Sequence, residues 1–379
     1  MKQKNQTRKV IGILIFGVIG IGVGYAIGKM AATGTSSSTL PAWVKISLIG
    51  LLLPAFLVAL GVHEGGHALA GVNVGFDFKM YVVGPFMWEK DTTGWHFKWN
   101  KNVNTAGGMV MCLPMDTQDL PRRFSIFAAG GPLASLLLAV LAYGIYAMGF
   151  KGSPKGDIAN EVLGSFFLFT AFLSMFFFIT TAIPFHVGGF YSDGARIIRL
   201  LRGGDRAQFD SLLLKFVTQS SSGIRPKLLN INEIEEGLAI GQRINEPFTV
   251  YLHSYLYQAA LDKGEVEKAE KHLLDYIGEA DNIPDGIRNM VWLEATFFYA
   301  YAKKDLAEAE KYLNQYQASP IIPKAQIFAT EAAIETLKNN REVALSKIEA
   351  AEKEIPNMID KGVGVALKEK LQILKSEIT

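Results

Sequence analysis

An uncharged run that holds two histidines and one glutamate constrains this chain more than any other feature. Between Lys45 and Asp77 the only side chain with a formal charge is Glu64, inside His63-Glu64-Gly65-Gly66-His67. A run this long and apolar belongs in a membrane, where ionisable groups are costly and mark function. On a helix, His63 and His67 stand at i and i+4 on one face, so both imidazoles reach one ion. Glu64, beside the first histidine, contacts a metal-held water without binding the metal itself. Catalytic zinc takes three protein ligands, so a third is required. His186 and Asp193, both beside the membrane, are the candidates, and chemistry alone does not separate them.

Further spans surround this stretch. The chain has 379 residues and is 49% hydrophobic, with a mean hydropathy of +0.19, which is too apolar for an ordinary soluble protein. Val10 to Gly28 is uncharged and long enough to cross a bilayer. Its apolar region is too long for a signal peptide and no A-x-A cleavage site precedes Thr33 to Thr39, so it is read as a retained helix. Gly20, Gly24 and Gly28 recur along one face and favour close packing. The second span runs from Ile46 towards Phe76, 31 residues and about 46 Å if helical throughout, so it must tilt, break or leave the membrane. Gly61, Gly65, Gly66, Gly71 and Gly75 lie in its second half and put the histidines near its exit, where a water-filled pocket is tolerated. A third span is expected from Phe124 to Phe150, and a fourth from Val162 to Ile183 ending at Pro184.

Between the second and third spans, Phe76, Phe78, Met80 and Val82 alternate with Asp77, Lys79 and Tyr81, and Trp95, Phe97 and Trp99 repeat the period of a strand. Asp91-Thr-Thr-Gly94 is turn-like, which predicts a hairpin with an aromatic face at the membrane interface and an edge open to an extended substrate. Lys and Arg cluster on one side of the membrane, from Lys2 to Lys9, Lys79 to Arg123 and Arg196 to Arg206, against Lys29, Lys45, Lys151 and Lys155 on the other. That bias puts both the N-terminus and the C-terminal region in the cytoplasm. Arg196, Arg199 and Arg202 suit a helix lying at the interface, and Asp193 has the residue type of a helix N-cap. Gln219-Ser-Ser-Ser-Gly223 reads as a linker. Beyond it, Gly264 to Leu274, Lys304 to Leu313 and Arg341 to Ile348 share a helical pattern in which Ala269 and Ala309 correspond and Val343 follows Leu306. The spacing resembles tetratricopeptide repeats with short insertions. A net charge of +2 gives no reason to expect a nucleic-acid partner, and the lone Cys112 is expected to be a small core residue.

Three motifs together resemble the site-2 protease family: His63-Glu-Gly-Gly-His67 in one span, Gly130-Gly-Pro-Leu-Ala-Ser135 in the next, and Pro184 to Asp193-Gly194 after a third. The resemblance covers roughly residues 45 to 203. It implies an intramembrane zinc metalloprotease with one Zn2+ per chain on His63, His67 and Asp193, Glu64 as the catalytic residue, and a strand-forming loop after the first core helix. The implied substrates are membrane proteins, chiefly of a single span, cut in or near their transmembrane segments. This chain departs from the family at Ser135 and at Thr181-Ala-Ile183, where the family carries asparagine, and in its longer Pro184 to Asp193 spacing.

The expected fold is a polytopic α-helical membrane protein of about four transmembrane helices with a β-hairpin loop, followed by a cytoplasmic all-α repeat-like domain. The expected divisions are 1–44 for the first helix and an external loop, 45–203 for the catalytic core, 204–225 for a linker and 226–379 for the helical domain, which would hold a cytoplasmic regulator or adaptor. The positive-inside pattern suits a prokaryotic plasma membrane. Two other readings of the same residues are an inactive membrane scaffold built on the helical array, and a zinc-dependent membrane hydrolase with a non-peptide substrate.

Overall fold

In the computed structural model, residues 49–100, 107–152, 157–187, 190–283, 285–318 and 322–378 are described. The span expected at Val10 to Gly28 lies outside them. Among the described residues three helices are long and apolar enough to cross a membrane: α1 (Leu52–Asn73), α2 (Leu120–Gly149) and α3 (Ile158–Ala182). The 22 residues of α1 rise about 33 Å, close to the thickness of a hydrocarbon core. Glycine sets how closely α1 meets α2. A Cβ on Gly66 would run into the Gly130 carbonyl, and a Cβ on Gly130 would run into the Gly66 carbonyl, so the two backbones touch without side chains between them. On its other flank α1 buries Ala55 and Ala59 against Phe169 and Leu173 of α3.

The α1–α2 connection is larger than a hairpin. It forms a four-stranded antiparallel sheet from β1 (Phe76–Val83), β2 (Phe86–Asp91), β3 (Gly94–Trp99) and β4 (Met109–Pro114), in the order β3-β2-β1-β4. The expected turn joins β2 to β3, with Asp91 opposite Gly94, while β1 pairs with β2 and β4. Phe86, Trp88, Phe97 and Trp99 share one face through the cross-strand pairs Phe86↔Trp99 and Trp88↔Phe97, and three of them stay exposed, Trp99 at 63%. Cys112 is buried in β4 against Gly71; burial pushes its thiol up to about 12, so it is an inert core residue.

After α3, two short strands, β5 (His186–Val187) and β6 (Phe190–Tyr191), pair and lead into α4 (Asp193–Arg202). The stretch expected as a linker is mostly helix. Here α5 (Gly204–Ser221) runs through the serines, and Ser220 donates to Asp360 at 2.5 Å; buried serines satisfied in this way need no exposed coil. The remainder is helical: α6 (Ile231–Ile244), α7 (Thr249–Lys263), α8 (Val266–Gly278), α9 (Asp285–Phe298), α10 (Leu306–Leu313), α11 (Lys324–Leu337), α12 (Arg341–Glu354) and α13 (Lys361–Ile378). Ala269 and Ala309 are both fully buried, but Val343 is 47% exposed and Ala344 takes the inward position. Val343 is therefore not the inward residue that the spacing paired with Leu306, because Ala344, Ile348 and Ala351 make the buried stripe of this segment.

Candidate metal centre

His63, Glu64 and His67 project from the second half of α1 and are all buried. Each ring has its Nδ1 engaged by α2. His67 Nδ1 lies 2.9 Å from the Phe127 carbonyl, and since a carbonyl only accepts, this nitrogen carries the proton. His63 Nδ1 lies 2.9 Å from Ser135 Oγ. His67 therefore keeps an Nε2 lone pair for the opposite side, and the Ser135 hydroxyl, able to accept as well as donate, lets His63 do the same. Gly131 makes room for this, because a Cβ there would overlap the His67 ring. Pro132, inside α2, supplies no N–H to the helix ladder and so leaves the Ala128 carbonyl without its usual donor.

The opposite side is filled by Asp193. Its Oδ2 lies 3.4 Å from His67 Nε2 and 3.7 Å from His63 Nε2, and one ligand atom from each of His63, His67 and Asp193 falls within 4.8 Å of the others. The structure brings Asp193, one of the two third-ligand candidates, to this group. Asp193 is not the helix cap. Ser192 takes that role, its Oγ accepting from the Ala195 N–H at 3.2 Å and donating to the Ile183 carbonyl at 2.8 Å, which leaves the carboxylate of Asp193 free for the histidines. Gly194 follows for a steric reason: a Cβ there would fall on the Ala182 carbonyl at the end of α3. Two imidazoles with oriented Nε2 atoms and one carboxylate are the donor set of a catalytic zinc site, so the residues fit that ion.

Glu64 borders the sheet. Gly108, at φ +98°, leads into β4, and a Cβ on it would come within 2.5 Å of Glu64 Oε1. Tyr81 of β1 donates to the Gly61 carbonyl at 2.5 Å, which fastens the sheet to α1 just before the motif.

A second cluster braces the loop that carries Asp193. Arg199 of α4 donates twice to Asp210 of α5, at 2.7 Å each, and once to Glu246 at 2.9 Å. Its guanidinium lies 4.1 Å from the centre of the Tyr191 ring, and the Tyr191 hydroxyl is 3.1 Å from both oxygens of Glu246. Burial, then the Glu246 carboxylate, raise the Tyr191 hydroxyl well above its ordinary value, so it stays a donor. Glu246, in the turn between α6 and α7, thus holds the chain on both sides of Asp193. Arg199, which the spacing assigned to a membrane-surface helix, is 9% exposed and turned towards the C-terminal helices. Sequence reasoning did not single out Phe127, Tyr191, Arg199 or Glu246 as parts of this assembly, and it quoted Gly131 only as part of a motif.

Compared with known proteins, residues 51–216 match the model of Peptidase family M50. That stretch runs from the start of α1 into α5 and includes every residue of the His63, His67 and Asp193 group. No curated protein and no solved structure matches the chain.

Proposed function

We propose that this chain is an intramembrane zinc metalloprotease that cleaves peptide bonds in or near the transmembrane segments of membrane-protein substrates. The observation that carries this reading is the convergence of two Nε2 atoms on Asp193 between membrane-crossing helices. The family match over residues 51–216 supports it. A zinc ion held by His63, His67 and Asp193 supplies Lewis acidity, lowering the pKa of water and polarising a carbonyl. Glu64, as the adjacent carboxylate, accepts the proton of the attacking water and returns it to the leaving amine. The Phe127 carbonyl holds His67 in the required tautomer, and Ser135 orients the His63 ring with Nε2 towards Asp193. Asp193 is the most open of the three, at 18% side-chain exposure against 6% and 10% for His63 and His67.

A substrate helix has its carbonyls engaged and must unwind to present one. Strand β4 ends the sheet next to Glu64, and in this reading its outer edge receives the unwound segment as an added strand. The chain is multi-pass in a prokaryotic plasma membrane, with both termini in the cytoplasm, and the tetratricopeptide-like helical array recruits substrates or a cytoplasmic regulator.

The test is Glu64→Gln in purified full-length protein. It is expected to keep zinc bound at the wild-type level and to lose turnover by about a thousandfold or more, as expected for removal of an essential general base. Mass analysis of peptide ends in membranes carrying each form reads out the products. Cleavage by Glu64→Gln at the wild-type rate sinks the assignment.

A further inference from the structure

Helices α7 and α8 enclose a polar cluster far from the membrane spans in sequence. His253 of α7 is 5% exposed, and its Nδ1 is buried with no hydrogen-bond partner. His272 of α8 presents a second buried Nδ1, likewise without a partner. Asp275, one turn further along α8 and so on the same face, places its Oδ2 3.9 Å from His253 Nδ1. One donor atom from each of these three residues lies within 4.8 Å of the others. Leaving buried ring nitrogens unpaired is costly, and a cation satisfies two lone pairs and a carboxylate together.

The far side of the His253 ring fits this reading. Its Nε2 is 3.8 Å from Glu279 Oε1, and Thr249 Oγ1 donates to the other oxygen of Glu279 at 2.9 Å. A carboxylate on that side offers the Nε2 proton an acceptor, which would leave the Nδ1 lone pair for the cluster, as outer carboxylates do for metal-binding histidines.

We propose that His253, His272 and Asp275 form a second divalent-cation site, of the zinc type, in the C-terminal helical half. Two imidazoles and a carboxylate select a borderline ion over calcium or magnesium. Zinc donors at about 2.0–2.2 Å from the ion stand roughly 3.3 Å apart, so loading draws the three together by about an ångström, chiefly through the half-exposed Asp275. The site adjoins the brace on the Asp193 loop. Thr249 Oγ1, which contacts Glu279, also lies 2.9 Å from the Glu246 carbonyl, and the Glu246 carboxylate grips Tyr191 and Arg199.

Metal content separates this site from the one in the membrane. Purified full-length protein, equilibrated with Zn2+ and desalted, is expected to carry two ions per chain. His63→Ala with His67→Ala should carry one, His253→Ala with His272→Ala one, and the fourfold variant none. Wild-type content in His253→Ala/His272→Ala, or no metal in His63→Ala/His67→Ala, overturns the proposal, and neither result depends on protease activity. Because His253 packs in a core, Asp275→Asn provides a milder variant. In the His63→Ala/His67→Ala background it should weaken Zn2+ binding by about tenfold or more and alter the visible ligand-field bands of the Co2+-loaded protein; an unchanged affinity counts against the site.

Discussion

Ser135 illustrates how one hydroxyl acts through a neighbour. Its Oγ, 2.9 Å from His63 Nδ1, fixes which nitrogen of the ring faces Asp193. Ser135→Ala should therefore lower zinc affinity by roughly 10–100-fold while leaving helix packing intact, as read by competition with a chelator of known affinity; wild-type affinity would show that the ring needs no such anchor. The two histidines and Glu64 were legible in the sequence because helical spacing alone puts them together. Their anchors were not, since Ser135 and the Phe127 carbonyl lie 72 and 60 residues from their partners and a backbone oxygen leaves no mark on a sequence. Asp193 is a subtler case. Local chemistry reads an aspartate at a helix start as a cap, and only the tertiary fold reveals that Ser192 has taken that position.

Among the elements, the α1–α2 contact tolerates the least change. Gly66→Leu must displace the Gly130 carbonyl and Ala134, whereas a Cβ on Gly144 of α2 meets nothing within 4 Å. The first substitution is expected to cost at least the ~1–3 kcal/mol of overpacking and to release zinc; Gly144→Leu should do neither. Thermal unfolding and metal content of the detergent-solubilised variants measure both, and equal behaviour would mean that the helices do not meet as closely as described. The described membrane helices were readable because long uncharged runs have few alternatives. The sheet was only half readable: β1 and β3 alternate, but Met109–Pro114 is nearly all apolar and β2 turns polar after Trp88, so neither β2 nor β4 displays a clear period of two.

On the scale of the whole molecule, stability should depend on pH through Glu294, which lies in the core of the C-terminal helices. Gln258 donates to one of its oxygens at 2.8 Å, the other is buried without a hydrogen-bond partner, and burial raises the carboxyl from 4.5 to about 8. Below pH 4.5 folded and unfolded chains both hold this proton and the contribution is whole. As the pH rises the unfolded carboxyl ionises first and draws the equilibrium towards unfolding, until the folded group ionises near pH 8. Between pH 5 and pH 8 the protein should lose stability on the order of a few kcal/mol from this group, and Glu294→Gln should lose correspondingly less. Denaturation at the two pH values compares them, and an equal loss in the variant would remove Glu294 as the cause.

The grip of Glu246 on Tyr191 and Arg199 bears on how the two halves of the chain depend on each other. A chain ended at residue 225 would keep His63, Glu64, His67 and Asp193 yet strip the brace from the loop that presents Asp193. The resulting defect would look like failed recruitment of substrate while arising from a slackened ligand. The helical half is thus not an interchangeable cassette: any replacement must bring its own buried carboxylate to the same spot.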